Sequence, residues 1–174
     1  MKMNLAMARH FDRIRPLLLS SQLASALRNR ASSPLVWVGE AGKIVLAREC
    51  SHNDALVFEA SLGAVLRLPE STDATGIEAF LNKVHVGDFL DRETSCDGQL
   101  VQGILFAQAL SDRLVRLARP SRIVVGYDPD SEDTTVRFFL RRPEQPWGAD
   151  DPSDYQMEEI IHFDIDPDEP VRAS

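Results

Sequence analysis

The stretch RIVVGYDPDSEDTTVRFFLR, residues 122–141, decides the fold class. Arg122 to Tyr127 is apolar and β-branched, and Thr134 to Arg141 is a second run of strand-forming residues. Between them, Asp128-Pro129-Asp130-Ser131 carries the residues that tight turns prefer. Two strands so closely joined predict an antiparallel hairpin. Downstream, a Pro/Gly/Asp-rich loop spans 143–153 around Trp147, and Met157 to Ile165 reads as a further strand. Within that strand Ile161, Phe163 and Ile165 alternate with His162, Asp164 and Asp166, which predicts one buried face and one solvated polar face.

Upstream of the hairpin the periodicity turns helical. Val101, Leu105, Leu110, Leu114 and Leu117 form a wide stripe on a helix expected from about Gln99 to Arg119, capped by Ser95 or Asp97 and stopped by Pro120. Ile77, Phe80, Leu81 and Val84 have the spacing of a shorter helix, with Thr75 as its expected cap. Residues 35–38, 43–47, 55–60 and 64–68 read as four short strands, the first two a hairpin closed by Ala41-Gly42. Residues 4–14 and 17–28 read as helices on either side of Pro16. The expected architecture is one α+β domain over residues 1–174: helical at 4–30, β at 35–68, helical at 75–119 and β at 122–165. Its strands form an antiparallel sheet in two hairpin or meander regions, packed with several helices. A chain of 174 residues buries roughly 70% of its unfolded surface and needs no covalent staples.

Charge is the feature that points to function. Residues 1–120 hold 14 Lys and Arg against 13 Asp and Glu, whereas residues 121–174 hold 5 against 14. The whole formal charge of −8 therefore comes from the last third. From Asp150 to Glu169 there are nine carboxylates and no Lys or Arg. Such a field has the wrong sign for phosphate, which argues against nucleic acid as a partner, and it suits a cationic protein. The basic N-terminal stretch has the composition of an organellar transit peptide, but its helical spacing is better explained as an amphipathic helix of the fold. No apolar run reaches the roughly 18 residues needed to span a bilayer. Cys50 and Cys96 form no CxxC pair and read as reduced thiols of a cytoplasmic protein.

Motifs of catalysis are missing from the chain. There is no GxSxG, phosphate-binding loop, dinucleotide fingerprint or HExxH. His10, His52, His85 and His162 have no ligand spacing, and Cys50 beside His52 reads as two ordinary residues. The turns at 128–133 and 164–169 lack the glycine and glutamate that a calcium loop needs, so they are expected to be solvated. The expectation is no catalytic residue, no metal and no cofactor.

Residues 136–164 carry a further pattern: the strand Val136 to Leu140, then Arg141-Arg142-Pro143, Pro146-Trp147, Ala149-Asp150-Asp151, Tyr155 and Glu158-Glu159-Ile160-Ile161. This pattern resembles bacterial toxin-immunity proteins of the contact-dependent growth inhibition and polymorphic-toxin type. The resemblance implies a non-enzymatic inhibitor that binds one cognate toxin, often a cationic nuclease. The contact residues expected on that reading are Trp147, Asp150, Asp151, Asp154, Tyr155, Glu158, Glu159, His162, Asp164 and Asp166. Two other classes fit the composition. One is an acidic homodimeric secretion chaperone or adaptor, which needs an exposed apolar groove. The other is a small-ligand-binding or enzymatic α+β fold with a pocket beside helix 99–119.

Overall fold

The computed structural model describes residues 1–19, 44–46, 55–61, 64, 72–155 and 158–167. In chain order these form β1 (Lys2–Met3), α1 (Leu5–Leu19), β2 (Ile44–Leu46), β3 (Leu56–Phe58), α2 (Ala74–Leu81), β4 (Val84–His85), α3 (Cys96–Val115), β5 (Ser121–Asp128), β6 (Asp133–Leu140) and β7 (Glu159–Ile165). The 122–141 hairpin is β5 and β6, paired in register from Ser121 opposite Leu140 to Asp128 opposite Asp133. Its turn closes on Asp128, whose carboxylate accepts from the Asp130 N–H and the Ser131 hydroxyl. The hairpin lies within a five-stranded antiparallel sheet in the order β1-β7-β5-β6-β4. The protein is α+β, as its sequence predicts.

Alternation along the strands divides the sheet into two faces. Ile123, Val125, Val136, Phe138, Leu140, Ile161 and Ile165 point to one side, where Leu100, Ile104, Phe106, Leu110 and Leu114 of α3 and Met7 and Ile14 of α1 cover them. Phe106 and Phe138 are the largest fully buried side chains of this core. The helix lies close to the sheet because it presents Gly103 there: a Cβ on Gly103 would sit 2.7 Å from Thr134 Cγ2. Ser95 caps α3 by accepting from the Gly98 N–H, so of the two expected caps it is the serine that acts.

The N-terminus is part of this layer. Asn4 caps α1 through the Met7 N–H at 3.0 Å, and its side-chain amide donates to the Glu158 carbonyl at 2.8 Å. That ties α1 to β7 while β1 pairs alongside it. Pro16 does not break the helix. It sits in the final turn, where its missing N–H costs a single bond before the helix ends at Leu19.

The outer edge of β6 is closed by side chains. Glu78 and Asn82 are fully buried, one turn apart at the C-terminal end of α2, and stand where a further strand would run. Glu78 accepts from the N–H groups of Leu56 at 2.6 Å and Leu140 at 2.7 Å, and Arg142 grips it with two bonds of 2.8 Å. Asn82 accepts from the Phe58 N–H and donates to the carbonyls of Leu56 and Phe138. Burial pushes the Glu78 carboxyl up; the Arg142 contacts oppose this.

Several expectations are corrected. Asp73, not Thr75, caps α2. Phe80 is 71% exposed rather than part of the buried stripe, and Val84 belongs to β4. The long helix ends at Val115, before Pro120. Residues 44–46 pair with β3 in a separate two-stranded sheet. The expected elements at 20–30, 35–38 and 65–68, together with Cys50, His52 and the extreme C-terminus, lie outside the described residues. Among the described residues no helix is long and apolar enough to cross a membrane.

Candidate functional site

The second face of the sheet is only partly covered, and it carries Arg122, Val124 and Gly126 of β5, Thr135, Arg137 and Phe139 of β6, and Ile160, His162 and Asp164 of β7. The loop 143–155 folds back across it. Trp147 anchors that loop: its ring packs on Phe139, centroids 5.1 Å apart, and the Arg137 guanidinium lies 5.1 Å from its centroid. Tyr155 is the second anchor. Its hydroxyl accepts from the Ala149 N–H at 3.0 Å, and its ring meets His162 edge-on. Gly148 permits this return by adopting φ +68°, and a Cβ there would collide with the Tyr155 hydroxyl. Asp151 then caps the short turn Pro152–Asp154 by accepting from the Ser153 N–H, and that bond and the Ser153 hydroxyl hold its carboxyl below the usual range.

Between this loop and the sheet lies an open groove of about 480 Å³, floored by Val124, Gly126 and Ile160 and walled by Trp147, Tyr155, Arg137, Asp154 and Glu158. Gly126 gives the floor its depth, since a Cβ there would approach Ile160, Thr135 and the Glu158 carboxylate within 3.5 Å. Asp150, with a side chain 95% exposed, and the exposed Asp151 and Asp154 line the outer rim of the loop. A second depression of about 460 Å³ lies on the other flank of Trp147 and includes Arg142, Gln145, Asp150 and Asp166.

The residues expected from sequence are thus sorted into different roles. Trp147, Asp154, Tyr155 and Glu158 come together in the groove, Asp150 lines the second depression, and Asp151 lies on the loop as the cap of its short turn. Asp166 flanks the second depression. His162 and Asp164 do not form the expected solvated ridge. Asp164 grips Arg122, itself 3% exposed, at 2.6 and 3.2 Å, and Asp150 adds a third bond at 3.1 Å. Burial pushes the Asp164 carboxyl up, but the Arg122 bonds outweigh it and hold it low. His162 is 1% exposed beneath Tyr155, and neither ring nitrogen has a hydrogen-bond partner among the described residues. Its burial, with Arg122 and Lys2 nearby, depresses its pKa to about 4.

Glu159 is on the covered face instead, where it meets His10 at 2.7 Å. Strand alternation requires this, because Glu159 shares the phase of Ile161. His10 also meets Asp97 at 2.9 Å, and Arg13 reaches the same carboxylate at 2.7 Å. Among the described residues, the N-terminal helix forms an ion-pair contact with the acidic end between His10 and Glu159.

Sequence reasoning missed Arg122 and Arg137. Both precede the acidic stretch in the chain, and both sit on the polar phase of the hairpin, which was the available signal. They give the acidic end two cations that its own segment lacks.

The chain belongs to the Uncharacterized protein PM0498 family. The family model matches residues 2–172, so the match runs from β1 through β7 and takes in the groove and both of its walls. No curated protein and no solved structure matches the chain.

Proposed function

We propose that this protein acts by binding rather than catalysis, and that it captures a basic protein through the carboxylate-rimmed loop on the open face of its sheet. On this reading the partner is a toxin of the nuclease type, neutralised in the cytoplasm in the manner of bacterial immunity proteins. The observation that carries the reading is the pair of exposed carboxylates, Asp154 and Glu158, that line an aromatic-walled groove, with the exposed Asp150 and Asp151 on the same loop beside it. Exposed like charges near one another repel, and a cationic partner relieves that repulsion. A nuclease must attract phosphate, so its cleft presents the complementary charge, and opposite fields also speed encounter. Trp147 and Tyr155 supply the kind of aromatic contact that dominates binding energy.

The test is co-purification of the tagged protein from its own cells, with the partner identified by mass spectrometry. The expected result is one stoichiometric basic protein that is released at high salt. The variant carrying Asp154→Lys and Glu158→Lys, which leaves the Arg122 contact of Asp150 and the Ser153 contacts of Asp151 in place, keeps its melting behaviour but binds that protein roughly tenfold more weakly. Unchanged affinity in the folded variant rejects the assignment.

A further inference from the structure

Among the arginines bonded or stacked inside the described structure, one is treated differently. Arg13 reaches Asp97 at 2.7 Å, Arg122 holds Asp164 at 2.6 Å and Arg142 holds Glu78 at 2.8 Å. Arg137, half-buried in the wall of the groove, has no hydrogen-bond or ion-pair partner among the described residues. Its guanidinium lies against the Trp147 ring. A cation–π contact uses the charge and none of the five N–H donors. The guanidinium is also partly stripped of water, since burial pulls its pKa down. In a chain with 27 acidic residues, a desolvated guanidinium without a carboxylate is the exception. Glu158 is close enough to attract it, yet lies over Gly126 rather than in contact with it. The groove thus holds a cation with free donors and a separate anion, and it opens to solvent.

We propose that this groove receives a carboxylate of the bound partner, with Arg137 as its anchor and Glu158 and Asp154 pairing with cationic groups beside it. The proposal rests on the reading of this face as a docking surface for a basic protein, and it adds that the docked segment is not uniformly basic. A guanidinium fork matches a carboxylate with two parallel hydrogen bonds, which a lone positive patch on the partner could not use. The carboxylate comes from a chain terminus or from an acidic side chain, and the chemistry at Arg137 is the same for both.

The experiment compares three N-acetylated peptides by calorimetry at low salt: tetralysine with a free C-terminal carboxylate, tetralysine amide, and trilysyl-glutamate amide. Charge attraction alone favours tetralysine amide, which carries the most positive charge. The proposal predicts the reverse order, with the free acid or the glutamate peptide binding roughly tenfold tighter than the amide. Whichever of the two is preferred identifies the source of the carboxylate. The preference disappears in Arg137→Gln, with folding checked by a melting curve. Arg137→Lys, which keeps the charge without the fork, retains only part of it, and it serves as the variant if Arg137→Gln does not fold. If the amide binds as well as or better than both acids, the anchor is rejected while the acidic docking surface stands. A preference that survives unchanged in Arg137→Gln rejects the anchor too. If none of the peptides binds, the docking surface itself is rejected, and the anchor with it.

Discussion

On the face of the sheet covered by α1 and α3, His10 is 5% exposed and meets a carboxylate at each ring nitrogen, Glu159 at 2.7 Å and Asp97 at 2.9 Å. On the open face, His162 is 1% exposed and neither ring nitrogen has a partner among the described residues. The arginines do not divide by face: Arg13 on the covered side is paired, and on the open side Arg122 is held by Asp164 and Asp150 while Arg137 has no such partner among the described residues. Neutral buried atoms go unpaired on the covered side as well, Gln102 Oε1 and Thr134 Oγ1 among them. The difference therefore lies in two particular ionisable groups, His162 and Arg137, rather than in the open face as a whole. A face packed by helices brings charged groups from several elements together and can pair them. On the open face, loop 143–155 and Ala79 of α2 reach only part of the sheet, and the Arg137 guanidinium left without an ion-pair partner among the described residues is available to a partner.

The largest expected effect is at the rim of the paired side. Glu78→Ala strands the Leu56 and Leu140 N–H groups and the Arg142 guanidinium in one step. We expect a loss of about 3–5 kcal/mol in chemical denaturation, because a buried charge then lacks its counter-ion. A loss below about 1 kcal/mol would mean that water replaces the carboxylate and that the rim is not sealed.

The unpaired histidine makes the open face acid-sensitive. His162 titrates near its ordinary 6.5 when unfolded and near 4 when folded. The unfolded chain therefore binds more protons between those values, so stability falls as pH drops below 6.5 and the penalty is complete below about 4. At pH 5 the loss from this group is about 2 kcal/mol. His162→Phe should flatten that part of the stability–pH curve, and an unchanged slope would show that water or a moved side chain solvates the ring.

The smallest effect is local to the covered side. Ser95→Ala removes the cap of α3 and should cost about 1 kcal/mol in thermal unfolding, with no change in partner binding. A binding defect in that variant would mean that the two faces are coupled through the sheet.

Much of the covered side was legible in advance. The 3.6-residue period of α3, the β-branched runs of β5 and β6 and the turn residues at 128–131 are local signals, each contained in a short window of chain. The open side was legible only in part. Trp147, Tyr155 and the loop carboxylates could be read as a cluster because they are neighbours in sequence. Arg122 and Arg137 could not be placed among them, since what brings them there is the pairing of β5 with β7 and the return of loop 143–155. The same pairing buries His162 and turns Asp164 from a free carboxylate of a solvated ridge into the partner of Arg122.

By itself, the sequence determined the α+β class, the hairpin, the long helix and the acidic bias of the last third, because periodicity, turn chemistry and charge count are properties of contiguous residues. Only the tertiary structure decided which carboxylates are neutralised and which remain exposed. Ion pairing acts over a few ångströms of space and ignores distance along the chain, so Arg122 lies 42 residues from the carboxylate that holds it.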